Sequence, residues 1–73
     1  MPRCFSGKQL IKFLIKKDFT IYSQKGSHVK LISQKRKTKT IIPLHRVIAK
    51  GTLNDILAQA KLTETETWEL FNS

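Results

Sequence analysis

The apolar residues change period twice along the chain, and that switch dictates the order of elements it can form. Leu10, Ile11, Phe13, Leu14 and Ile15 recur at helical spacing, the stripe of an amphipathic helix. Ser6 with Gln9 is a capping-box pair that marks its start. The spacing predicts a first helix over 7–17. From Phe19 the period is two. Phe19, Ile21 and Ser23 alternate with Thr20, Tyr22 and Gln24, and His28, Lys30 and Ile32 alternate with Val29, Leu31 and Ser33. With Lys25-Gly26 between the runs, this reads as a β-hairpin. A loop over Gln24 to Gly26 sets Ile21 opposite Val29, Phe19 opposite Leu31 and Tyr22 opposite His28. That register collects the apolar residues on one face.

The polar run Gln34-Lys35-Arg36-Lys37 predicts the next turn. Thr38 to Ile42, rich in β-branched residues, predicts a third strand that Pro43 ends or marks as a sheet edge. Leu44 to Lys50 reads as a loop. Helical period then returns. Thr52 is the expected N-cap, Asp55 the expected first-turn acid, and Leu53, Ile56, Leu57 and Ala60 form the apolar stripe. Thr63 with Glu66 repeats the capping-box pattern and predicts a short last helix with Trp68 and Phe71 on its apolar side. The expectation is therefore an α+β fold: α-β-β-β-α, a three-stranded antiparallel sheet with both main helices on one face, plus a short C-terminal helix. The other face is left open and carries Tyr22, His28 and Lys30. One domain over 1–73 is expected, with its core in 6–62 and an acidic helical appendage over 63–73.

Charge narrows the partner. Of the 73 residues 14 are Lys or Arg and 5 are Asp or Glu, a formal net charge of +9. The excess is uneven: residues 1–62 hold every base and only Asp18 and Asp55, whereas 63–73 hold Glu64, Glu66, Glu69 and no base. Such a body calls for a polyanion, with nucleic acid first, an acidic protein second and a membrane surface third. Lys8, Lys12 and Lys16 share one face of the first helix, read as a solvated face or as a stripe toward phosphates. Cys4 is the only cysteine, so no intramolecular disulfide can form, which fits a reducing cytoplasm. No run is long and apolar enough to span a bilayer.

Several chemistries have no support. Gly-rich phosphate loops are missing, the two histidines are far apart in sequence, and the carboxylates are dispersed rather than gathered to hold an ion. Neither cofactor nor metal is expected. Cleavage of RNA needs none, because the 2′-OH can attack the adjacent phosphorus once a base takes its proton. Imidazole suits that task at neutral pH, and Lys or Arg can stabilise the charge on the phosphoryl oxygens. His28 is the candidate base, with Lys25 and Lys30 as nearby cations and His45 as a candidate second acid/base group. A strand histidine is more often a plain surface residue. By themselves the residues support a small basic α/β domain that binds nucleic acid.

Gly26-Ser27-His28, followed in order by Pro43-Leu44-His45, Gly51-Thr52-Leu53, Ile56-Leu57 and Ala60, resembles the HicA toxins, also called YcfA-like mRNA interferases. The likeness spans residues 6–62. It implies a double-stranded-RNA-binding-domain-like fold and cleavage of mRNA with His28 essential. It also implies inhibition by a HicB-type antitoxin. RNA contacts are expected from Tyr22, Lys25, Gly26, Ser27, Lys30, Lys35 and Arg36. The chain departs from the family pattern at three places. Asp18-Phe19 stands where Gly-Phe or Gly-Trp is common, Ser23 where a basic residue is common, and Ala60-Lys61-Leu62 where Ala-Gly-Leu is common. The rival readings are a non-catalytic RNA-binding module of the same fold and a basic face that only docks an acidic protein.

Overall fold

The structure, a computed structural model, describes residues 4–73; residues 1–3 of the expected domain lie outside the described residues. Six elements follow one another: α1 (Gly7–Ile15), β1 (Thr20–Lys25), β2 (His28–Ser33), β3 (Thr38–Pro43), α2 (Lys50–Gln59) and α3 (Glu64–Phe71). The strands form one antiparallel sheet in the order β1-β2-β3. The expected α-β-β-β-α order with a C-terminal helix is the observed one. Among the described residues no helix is long and apolar enough to cross a membrane.

Local chemistry explains most boundaries. Ser6 accepts from the Gln9 amide at 3.1 Å while Gln9 Oε1 accepts from the Ser6 amide at 2.8 Å, a complete capping box. α1 ends at Ile15, earlier than expected, and the chain leaves through Asp18 at φ 72°. The Phe19 amide then donates to Leu14 O at 3.1 Å. Thr63 and Glu66 form a second capping box at the head of α3.

α2 starts before the expected Thr52. Its N-cap is Ala49, whose side chain makes no capping bond, and Asp55 falls outside the first turn. Ile48 before the cap and Leu53 in the second turn are both buried, the pair of positions a hydrophobic staple uses. Apolar packing, together with the Ile48 amide donating to Phe5 O at 2.7 Å, thus sets the start in place of a polar cap.

The hairpin register also differs from the expected one. Lys25 pairs with His28 and Ser23 with Lys30, so the turn is Gly26-Ser27 rather than Gln24 to Gly26. Gly26 has φ 60°, and Ser27 is not among the positive-φ residues. That is the two-residue primed turn whose first position glycine fills, and its twist matches that of the strands. A bulge at Tyr22 then shifts the register so that Ile21 meets Leu31. Tyr22 is therefore not opposite His28. Ile21, expected inside, is 49% exposed although its partner Leu31 is buried, as every residue of β1 is exposed.

Val29 and Leu31 of β2, Ile42 of β3, Leu10 and Leu14 of α1 and Ile56 of α2 meet in one core with Phe19. Each such fully buried side chain contributes about 1.5–3 kcal/mol. α3 adds Leu70, which is 2% exposed, whereas Trp68, expected on the buried side, is 66% exposed. Phe71 lies edge-on to Phe5 with centroids 5.3 Å apart.

Candidate active site on the open sheet face

Strand alternation assigns the face opposite the core. From the observed register, His28, Lys30 and Ile32 of β2 share it with Lys25 and Ser23 of β1 and with Lys39, Ile41 and Pro43 of β3. His28 is the first residue of β2, exposed, flanked by Lys25 on one side and Pro43 on the other.

The backbone around His28 is held tightly. Gln24 Nε2 donates to Gly26 O at 3.2 Å across the turn. The Leu44 amide donates to Ser27 O at 2.7 Å, which extends the β2–β3 ladder by a step. Beyond it, His45 O accepts from the Gly7 amide at 2.9 Å. A Cβ on Gly7 would stand 2.0 Å from Pro43 O, so only glycine lets the head of α1 approach this segment so closely. No residue pattern hinted at that role for Gly7. The result brings Lys25, Gly26, Ser27, His28 and the Pro43–His45 segment to one end of the sheet. His45 is exposed there.

Where α2 packs along β3 lies a groove of about 520 Å³ that reaches from the open face to Thr40 and Ile56 on the core side. Tyr22, Lys30, Lys39 and Ile41 line it from the sheet, and Asp55 and Gln59 from α2. The bulge puts Tyr22 on this face beside Ser23. Lys39 was missing from the expected RNA contacts. The period-two pattern of the third strand could have found it, since 39, 41 and 43 alternate with the buried 40 and 42. Among the described residues, Lys25, Lys30 and Lys39 have no acidic partner.

Lys35 and Arg36 are elsewhere. They sit in the β2–β3 turn, past the far end of β2, which rises about 17 Å from His28 to Ser33. Lys35 is 78% exposed and reaches Asp18 at 3.7 Å. Arg36 is only 14% exposed, and its donors are committed. Its Nε donates to Lys17 O at 3.2 Å and one terminal nitrogen to Lys61 O at 3.2 Å. Both terminal nitrogens bind the Glu66 carboxylate, at 2.7 and 2.5 Å. The expected RNA contact by Arg36 therefore gives way to a structural one. The hydrogen bond from Arg36 holds the Glu66 carboxyl at a pKa of about 2, against the opposing effect of burial. The same bond raises the pKa of Arg36. Among the described residues no group of three or more His, Cys, Asp or Glu could hold a metal ion.

The family model described as the HicA toxin of bacterial toxin–antitoxin matches residues 7–62. No match came from the comparison with curated proteins, nor from that with solved structures. The matched segment runs from Gly7 to Leu62, so it takes in α1, the sheet and α2 and stops before α3.

Proposed function

Because the chain belongs to the HicA toxin family, we propose that its toxic activity is metal-independent endonucleolytic cleavage of mRNA in the cytoplasm, held in check by a HicB-type antitoxin. One observation carries the reading: an exposed imidazole heads β2 on an open face whose lysines lack acidic partners among the described residues.

His28 takes the proton of the 2′-OH as O2′ bonds to phosphorus. The bond from phosphorus to O5′ breaks, and that oxygen leaves with a proton from a general acid, for which His45 is the candidate. The products are a 2′,3′-cyclic phosphate and a 5′-hydroxyl. Lys25 and Lys30 bind the phosphoryl oxygens and offset the charge that builds on them. Gly26 supplies the turn, and the Ser27 hydroxyl is available as a hydrogen-bond donor. Lys35, at the far end, meets only the flanking backbone of a long RNA. The antitoxin covers the same face with acidic residues, so its association is fast and salt-sensitive.

The test is incubation of the purified protein with RNA in excess EDTA, followed by end-group analysis. Cleavage that persists and leaves 2′,3′-cyclic phosphates is the expected result. Cleavage that chelator abolishes, or products with 5′-phosphates, would overturn the mechanism.

A further inference from the structure

The groove holds an acid that phosphate binding does not explain. Asp55 lines it together with Lys30 and Lys39. Among the described residues its side chain makes no ion pair or hydrogen bond, although the chain carries a net charge of +9. A carboxylate beside phosphate-binding lysines weakens their field. Its presence there fits a ligand with donors of its own.

Asp55 and Gln59 lie four residues apart on α2, hence on one flank of the helix. Gln59 is oriented: Thr40 Oγ1 donates to its Oε1 at 2.7 Å, and Thr38 Oγ1 donates to its backbone oxygen. Its Nε2 is left as a donor. Across the groove stands Tyr22, 49% exposed and set on the open face by the β1 bulge. The groove thus offers an aromatic ring for stacking, a two-oxygen acceptor and an amide donor. Unstacked bases in single-stranded RNA are recognised through these elements.

We propose that this groove is a base-specific subsite for guanine, next to the cleavage site. The inference rests on the reading of RNA as substrate. Guanine alone among the four bases presents two adjacent donors, N1–H and N2–H, on its Watson–Crick edge, with the O6 acceptor beside them. Asp55 accepts from both donors as a fork, the strong charge-assisted arrangement. Gln59 Nε2 donates to O6. Tyr22 stacks on the ring, and Lys30 and Lys39 hold the adjoining phosphates.

The experiment uses the full chain carrying His28→Ala, so that RNA is bound and not cut. Fluorescein-labelled pentamers UUGUU, UUAUU, UUCUU and UUUUU are titrated by anisotropy, with and without Asp55→Asn. UUGUU should bind about tenfold or more tighter than the others. Asp55→Asn should weaken UUGUU and slightly tighten the rest, because it removes a negative charge. Opposite signs are diagnostic, since a purely electrostatic role would tighten all four alike. Tyr22→Leu should weaken all four by about tenfold. Salt-dependent binding without base preference, or uniform tightening by Asp55→Asn, overturns the subsite and leaves the RNA reading intact. No binding of any pentamer at low salt overturns both.

Discussion

The two ends of the sheet use the same kind of residue for opposite purposes. At the β2–β3 turn, Arg36 is enclosed by Glu66, Asp18 and two backbone carbonyls. Lys17 and Lys35 are paired with Glu69 and Asp18. At the Gly26-Ser27 turn and along the open face, Lys25, Lys30 and Lys39 have no acidic partner among the described residues. The contrast teaches that a run of positive charge in a sequence is not one surface. Three of the five acids are spent at one end, and what remains uncompensated there is only partial. At the other end a histidine stands among cations whose field is free to act on a polyanion.

The difference can be broken first at the site end. Gly7→Ala forces a Cβ against the Pro43 carbonyl, and backbone cannot yield as a flexible side chain can. The expected loss is at least about 3 kcal/mol, above the usual cost of overpacking, measured by urea denaturation. A variant as stable as the parent would mean that α1 does not seat against this segment.

At the far end, Arg36→Ala strands the Glu66 carboxylate. The cost should be about 2 kcal/mol, below that of a fully buried pair because the site is partly solvated. The melting temperature should fall by roughly 10 °C. The pair also has a pH signature. The Glu66 pKa is lowered from 4.5 to about 2, so its contribution is complete above the ordinary value and fades as pH falls from 4.5 through 2. Denaturation midpoints of the parent should drop across that window. The Arg36→Ala protein should lack that part of the acid dependence. Equal slopes in the two proteins would refute the pairing.

The salt dependence of RNA binding sharpens the contrast. For single strands each neutralised phosphate adds about −0.7 to the log–log slope. Lys30→Ala should reduce the slope by about that amount and leave stability unchanged, whereas Arg36→Ala should leave the slope unchanged. If the two exchange roles, the assignment of the ends is reversed.

The smallest effect concerns backbone strain at the far end. Asp18 and Lys61 hold φ of 72° and 55°, the left-handed region that favours glycine. Both are places where the chain departs from the family's common glycine. Lys61→Gly should stabilise the fold by up to about 1 kcal/mol, read as a rise in the urea midpoint. A fall would show that the Lys61 side chain contributes more than its backbone costs.

Much of this was legible in the residues. Both capping boxes, the three strands and the open-face position of His28 follow from short-range patterns. What escaped was set by distant contacts. The hairpin register turned on a bulge at Tyr22, which period-two alternation cannot reveal. The start of α2 depended on Ile48 and Leu53 packing into a core built by other elements. Arg36 reads as one more base in a polar turn until the chain returns Glu66 to it. Asp55 and Gln59 reach the groove only because α2 packs against β3.

The central claim rests on His28, and one measurement reaches it most directly: single-turnover cleavage of a fixed RNA by the His28→Ala protein, with thermal denaturation on the same preparation. The imidazole is exposed and outside the core, so the melting temperature should stay within the small range of a surface substitution. The cleavage rate should fall by about 10²–10⁴. A folded alanine variant that cuts RNA at the parent's rate would contradict the account.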